Sequence, residues 1–206
     1  MRKLPILLFT AVFALSLALP AYAAESSNEE LKAASQYLNS HGIMVGDGEG
    51  NVNFSAPLTR AHLATILARL HGGSGQVEES RDFYAAQCKF QDVPDLARQY
   101  AGYCAYHGLM VGYGDGLFGA EDPVTPAAAC TVILRYLALT DLVWDYNSAC
   151  STACDLGLSE PAMTAQGTIS RGDLAVMLYR ALTGNFQGTS AGAAGASVSI
   201  SSYKGS

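Results

Sequence analysis

A hexapeptide that occurs twice constrains this chain more than any other feature. His41-Gly42-Ile43-Met44-Val45-Gly46 returns as His107-Gly108-Leu109-Met110-Val111-Gly112, and self-similarity at a long spacing marks an architecture made by stacking one supersecondary unit. Thr59 follows Gly42 by seventeen positions, and Thr125 follows Gly108 by seventeen. Each threonine opens a run with helical apolar spacing, Thr59 to Leu70 and Thr125 to Leu139. A third, weaker copy has Leu156-Gly157-Leu158 in place of the His-Gly turn and Ser170 in place of the threonine. Only thirteen positions separate Gly157 from Ser170, so this loop is four residues shorter.

The runs align in register. Arg69, Arg135 and Arg180 share one position, as do Leu63/Ala129/Leu174, Ile66/Val132/Met177 and Leu67/Ile133/Leu178. Apolar residues three and four apart define one buried helical face. The predicted unit is therefore helix, glycine-rich loop, helix. The first helices, Leu31 to Asn39, Pro94 to Tyr106 and Tyr146 to Asp155, each run into a glycine that supplies a left-handed ending. The second helices open on Thr59, Thr125 and Ser170, whose hydroxyls accept from free backbone amides; Ser170 with Asp173 approximates a capping box. Pro126 sits in the first turn, where its missing amide costs nothing. A helix pair of this size cannot bury its apolar face alone, so the expected fold is all-α, three units packed around a shared core as a pseudo-three-fold bundle.

The unit boundaries are expected at residues 26–72, 90–140 and 141–184. A connector at 73–89, opened by Gly72-Gly73-Ser74-Gly75, carries at most a short helix of its own. From 185 to 206 the chain is Gly, Ala and Ser, too poor in apolar surface to order itself, and reads as a linker or frayed tail. At the other end, Met1-Arg2-Lys3, an apolar run from Leu4 to Leu19 and Ala21-Tyr22-Ala23 compose a secretory signal peptide over residues 1–23. A retained membrane anchor is the alternative, but the apolar run is shorter than a bilayer span and none recurs downstream. Cleavage removes Arg2 and Lys3 and no acid, so the formal charge of -6 becomes -8. An acidic chain repels phosphate backbones and anionic lipid, which argues against nucleic-acid partners and, once the leader is cleaved, membrane partners.

Cys88, Cys104, Cys130, Cys150 and Cys154 would meet an oxidising compartment after export. Five cysteines allow about fifteen ways of making two bridges, so the pairing is not readable, and an odd thiol remains free or available to another chain. Cys150-x-x-x-Cys154 lacks the second ligand pair of a structural zinc site. Asp47-x-Glu49-x-Asn51 imitates the start of a calcium loop, but Val52 and Leu58 stand where its glycine and bidentate glutamate belong. Gly112-x-Gly114-x-Gly116 follows a helix and no βαβ unit surrounds it, so it is no dinucleotide fingerprint. No metal or cofactor is expected. His41 and His107 recur by repeat symmetry, and no G-x-S-x-G, H-E-x-x-H or Cys/His constellation occurs, so no enzyme is expected.

The second unit carries a family resemblance. Phe90-Gln91-Asp92-Val93-Pro94, then Gly108-Leu109-Met110-Val111-Gly112-Tyr113-Gly114-Asp115-Gly116-Leu117-Phe118, then Val124-Thr125 resembles the S-layer-homology pattern F-x-D-V, G-(I/L)-(I/V/M)-x-G-Y-x-D-G-x-F, (I/V)-T-R-A-E. Over about residues 28 to 184, three diverged tandem copies are identified. The resemblance implies a three-fold-like helical bundle on an exported bacterial protein of the cell wall or S-layer. It also implies that grooves between repeats bind a pyruvylated secondary cell-wall polysaccharide. The T-R-A-E motif transfers unevenly: Thr59-Arg60-Ala61-His62 keeps the arginine, Ser170-Arg171-Gly172-Asp173 keeps arginine and acid, and Thr125-Pro126-Ala127-Ala128 loses both charges. At most two arginine sites are intact, which points to weaker or altered glycan binding.

The chemistry of those positions can be stated directly. A helix N-terminus offers unpaired amides and a positive dipole end, and an arginine in its first turn adds two parallel donors, so Arg60 and Arg171 with Thr59, Thr125 and Ser170 suit a carboxylate. The alternative is that both arginines pair with acids of a neighbouring unit. Tyr113, Gly114, Asp115 and Gly116 compose a turn whose glycines supply positive φ; turn structure alone accounts for them, or the acid reaches a sugar hydroxyl. Tyr113, Tyr103 or Trp144 would stack on a sugar face, although Trp144 ahead of a helix fits packing better. Arg69, Arg135 and Arg180 complement the dipole at their helix ends and read as structural. A second class of function stays open, a lattice or adaptor protein that uses the bundle for protein contacts, with self-association or a disulfide-linked partner through the leftover cysteine.

Overall fold

The computed structural model of the 206-residue chain describes residues 19–46, 52–138 and 142–186. Most of the leader, the loop containing Asp47, Glu49 and Asn51, and the tail beyond residue 186 lie outside the described residues. Within them the fold is all-α: α1 (Leu19–Ser40), α2 (Arg60–Gly72), α3 (Ser74–Glu79), α4 (Arg81–Gln87), a 3-10 turn (Asp95–Ala97), α5 (Arg98–Tyr106), α6 (Pro126–Leu137), α7 (Ala149–Asp155), α8 (Pro161–Thr164) and α9 (Arg171–Thr183). Extended pairing among the described residues is confined to isolated bridges, Pro57 with Ser170, Thr59 with Pro123 and Gly114 with Leu117. No described helix is long and apolar enough to cross a membrane.

Local chemistry sets most helix ends. Thr59, Thr125 and Ser170 are extended residues whose hydroxyls accept from the amides of His62, Ala128 and Asp173, the N-cap geometry expected of them. Ser170 and Asp173 complete a capping box, and so do Thr59 and His62, where the imidazole Nδ1 replaces the usual carboxylate. Gly42, Gly108 and Gly157 end α1, α5 and α7 with φ of 68°, 67° and 73°. Immediately before the first two of these glycines, His41 stacks on Tyr37 and His107 lies tilted on Tyr103, each with ring centroids 4.3 Å apart.

The helices depart from expectation in several places: α1 begins at Leu19 and not at Leu31, and the helix expected from Pro94 starts as a 3-10 turn ahead of α5. The predicted helix from Tyr146 starts only at Ala149, because Asp145 and Ser148 exchange hydrogen bonds in a turn, Asp145 amide to Ser148 Oγ and Ser148 amide to Asp145 Oδ1 at 2.9 Å each. The stretch 73–89 is more than a connector: α3 and α4 fill it, Val77 and Tyr84 are buried, and α4 packs closely along α5. That approach needs Gly102, since a methyl there would overlap the Tyr84 carbonyl. The short α8 had no signal beyond Pro161 at its first position.

The core follows the expected register. Leu63, Ala129, Leu174, Ile66, Met177, Leu67, Ile133 and Leu178 are all buried, and only Val132 stays half-buried. Ahead of the three caps, Leu58, Val124 and Ile169 close a ring of backbone hydrogen bonds: Leu58 amide to Ile169 carbonyl (2.9 Å), Ile169 amide to Val124 carbonyl (2.9 Å), Val124 amide to Leu58 carbonyl (2.8 Å). Their side chains are buried, so the ring satisfies polar groups that have no access to water and gathers the N-termini of α2, α6 and α9 at one end of the molecule.

Candidate functional site

The ring brings Thr59, Arg60, Thr125, Ser170 and Arg171 together at that end, and the loop of residues 111–120 lies against the start of α2. Its geometry departs from the sequence reading in one respect: the helix starts are already occupied. The Arg60 amide donates to the Asp122 carbonyl (3.0 Å) and the Ala61 amide to Ala120 (2.9 Å); likewise the Arg171 amide donates to Ala56 (3.0 Å) and the Gly172 amide to Phe54 (2.8 Å). With the third amide of each helix taken by its cap, the N-terminal backbone of α2 and α9 has no free donors for an anion. Loops distant in sequence supply the acceptors, which no local pattern reveals.

The arginine side chains are therefore the cationic elements of this end. Arg60 Nε donates to the Phe118 carbonyl (2.9 Å) and its Nη2 to Val111 (2.8 Å), while the guanidinium lies over the Tyr113 and Phe118 rings at 4.5 and 4.9 Å. Arg171 Nε donates to the Val52 carbonyl (2.8 Å), and burial works against its charge, lowering its pKa. Among the described residues neither makes an ion pair; the pairs there are Arg69 with Glu78 and Arg180 with Glu30 and Glu160. The alternative, that both arginines pair with acids of a neighbouring unit, has no such pair among the described residues. Arg69 and Arg180 are structural as read, Arg180 holding Glu30 by Nε and Nη2 at 2.7 and 2.6 Å and Glu160 at 2.6 Å. Arg135 is exposed beside His71 and His107.

The hairpin turn closes by the Tyr113 amide on the Leu117 carbonyl (2.8 Å) and the Leu117 amide on Gly114 (2.9 Å), with Gly114, Asp115 and Gly116 at φ of 98°, 51° and 76°. Asp115 is exposed, and Tyr113 is 63% exposed, the open face of the Arg60 stack. Tyr103 is not available for stacking: it is buried, and its hydroxyl meets His71 Nδ1 at 2.7 Å. Trp144 is half-buried against the core. Thr125 shares a 3.3 Å contact with the Tyr146 hydroxyl. Ser170 and Asp173 line a groove with Phe54 and Ser55 between the first loop and α9, and Gly172 lets the Phe54 backbone approach there.

One residue of the site escaped the motif reading. Asp92, quoted only as part of a pattern, receives the amides of Phe118 at 2.8 Å, Gly119 at 2.6 Å and Ala120 at 3.4 Å. Desolvation alone would raise its pKa, yet the amides of Phe118 and Gly119, which favour the anion, hold it below the usual value. The same Phe118 and Ala120 residues then present the carbonyls that take Arg60 and Ala61. Asp92 fixes the loop, and the loop fixes the arginine.

The geometry defines a helical module whose polar end carries two arginines without acid partners among the described residues and an exposed tyrosine. Comparison with known proteins names its class: residues 89–129, from the loop ahead of α5 through the hairpin to the start of α6, match the S-layer homology domain. Over 191 residues, 88% of this chain and 24% of the relative, it is 30% identical to the cell surface protein of Thermoanaerobacter kivui. Over 195 residues, 88% of this chain and 18% of the relative, it is 26% identical to the middle cell wall protein of Brevibacillus brevis. The chain thus spans a quarter or less of these curated relatives. It is a cell-wall-associated protein containing an S-layer homology domain, exported to the cell surface.

Proposed function

We propose that the chain anchors non-covalently to a secondary cell-wall polysaccharide, binding a pyruvylated glycan through Arg60 and Arg171, with no catalytic step. The three helix pairs are read as diverged copies of one S-layer homology unit; the closed hydrogen-bond ring of Leu58, Val124 and Ile169 supports this. One observation carries the binding reading: both arginines at this end are held in place by backbone carbonyls and have no carboxylate partner among the described residues, while Arg69 and Arg180 are neutralised by acids. A positioned guanidinium with unused donors matches a planar carboxylate such as that of a pyruvyl ketal. Beside Arg60, the exposed Tyr113 ring offers a face for the attached sugar.

The test is sedimentation of the mature chain with purified wall sacculi. Binding should fall on the double substitution Arg60→Ala with Arg171→Ala, and after chemical removal of pyruvate from the sacculi. Undiminished binding in both arms sinks the reading. A reductant-sensitive oligomer without glycan affinity would favour the adaptor alternative instead.

A further inference from the structure

Arg69, Arg135 and Arg180 occupy one repeat position, yet among the described residues only the first and last meet acids. Arg69 takes Glu78 at 3.2 Å, and Arg180 takes Glu30 and Glu160 at 2.6 Å each. Arg135 is exposed and has no acid partner there. It borders a cleft of about 100 Å³ between the last turns of α2 and α6 and the turn after α5, at the opposite end of the bundle from Arg60 and Arg171. His71, His107 and Tyr136 complete the polar side, Leu67 and Leu109 belong to the apolar wall, and none of the described lining residues is acidic. The two imidazole rings have centroids 5.3 Å apart. Neutral hydroxyls brace them: His71 Nδ1 meets the Tyr103 hydroxyl at 2.7 Å, and His107 Nε2 meets that of Tyr84 at 3.5 Å. Around the rings also stand Tyr106 on α5 and, on α3, Glu78, which is already held by Arg69 and the Tyr100 hydroxyl. Burial lowers the pKa of both histidines, and His107 lowers His71 further, so the cleft gathers groups that repel one another once protonated.

We propose that this cleft is a second anion site, which holds a phosphate dianion, free or as the terminal monoester of a larger molecule, between Arg135, His71 and His107. The helix-end role of Arg135 accounts for one cation. It does not account for two imidazoles that converge on the same open space with no acid among the lining residues. Donors arriving from α2, α6 and the turn after α5 suit a tetrahedral group, whose oxygens point in several directions, better than a planar carboxylate, which presents two. The guanidinium recognises phosphate through parallel donors, and an imidazolium adds an N–H on either side of its ring. A cleft of this size admits a group of a few heavy atoms and not a run of sugars, which separates it from the glycan surface proposed at Arg60 and Arg171. Among the described residues no third His, Cys, Asp or Glu joins the imidazoles in a metal-holding group, and the guanidinium opposes a metal cation. The bound anion and the imidazole protons stabilise one another, so the anion raises both histidine midpoints.

The mature full chain is titrated from about pH 8 to about pH 5, the range in which histidine changes charge, while its four histidine C2 proton resonances are followed by NMR. The solutions contain chloride, acetate, sulfate, inorganic phosphate or glycerol 1-phosphate at matched ionic strength; sulfate is tetrahedral and keeps its charge throughout. Phosphate and sulfate should raise the His71 and His107 midpoints by about half a pH unit, roughly a threefold tighter hold on the protonated rings, and leave His41 and His62 in place. Arg135→Gln, at an exposed position, should abolish most of that shift. A larger shift with glycerol 1-phosphate than with inorganic phosphate identifies a carried monoester, and an equal or smaller one identifies the free ion. Midpoints equal in all salts, an equal shift in acetate, or an undiminished shift in Arg135→Gln overturns the proposal. Movement of His62 alone would place the anion beside Arg171 and overturns it too. The Arg60→Ala with Arg171→Ala variant should keep the shift, so this site and the anchoring reading fail separately.

Discussion

Replacing Asp92 by alanine tests the link between the loop and the arginine most directly. The carboxylate accepts two short amide hydrogen bonds, 2.8 Å from Phe118 and 2.6 Å from Gly119, and a long one of 3.4 Å from Ala120. Hydrogen bonds to a charged group contribute roughly 1.5–3 kcal/mol each. Asp92 is partly exposed, so water recovers some of the loss, and a net cost of about 2–3 kcal/mol is expected. In urea, with a slope of roughly 2 kcal/mol/M for a domain of this size, the unfolding midpoint should fall by about 1 M at pH 7. The pH dependence is a second check. The folded pKa is lowered, so the contribution is present above the unfolded value near 3.8 and is lost as the pH falls through the folded value. The gap between parent and variant should therefore close in strong acid. An unchanged midpoint at pH 7, or a gap that persists in acid, refutes the argument. Sedimentation with sacculi should weaken as well, because the Phe118 carbonyl no longer holds Arg60 in place.

Gly102→Ala places a methyl on the Tyr84 carbonyl and forces α4 off α5; overpacking of this kind costs about 1–3 kcal/mol, read as a lower thermal midpoint by circular dichroism, and no loss would show that α4 adapts freely. Mild acid should destabilise the chain before any carboxylate titrates. His62 is lowered by burial and then by Arg171, with Glu121 opposing; His71 by burial and then His107; His107 by burial. Each lowered histidine stabilises fully above the unfolded value of 6.5 and loses that contribution as the pH drops through its folded value. Protonation also removes the His62 Nδ1 acceptor from its capping box. Stability measured by urea titration should decline from about pH 6.5 downward, and a flat profile between pH 7 and 5 would contradict this.

The legible part of this protein was the part governed by near neighbours in the chain. Hydroxyl caps three residues from their amides, left-handed glycines after α1, α5 and α7, proline in the first turn of α6 and apolar residues at three- and four-residue spacing all act within one helical turn, so sequence order contains the geometry. The site was legible in its residue types and not in its bonding. Arg171 meets the Val52 carbonyl across 119 positions, and Arg60 meets Phe118 across 58; which acceptor lies beside a donor at such separations is decided by packing. The same holds for Tyr103, a surface stacking candidate by type and a core residue in fact, and for α3 and α4, whose short amphipathic turns gain their stability from α5. Sequence alone determined where α2, α6 and α9 begin and which of their faces are apolar, because those follow from local hydrogen bonding and burial. Tertiary structure decided that loop carbonyls fill the starts of α2 and α9 and hold the Arg60 and Arg171 side chains, because buried backbone groups must be satisfied by whatever the fold brings near them.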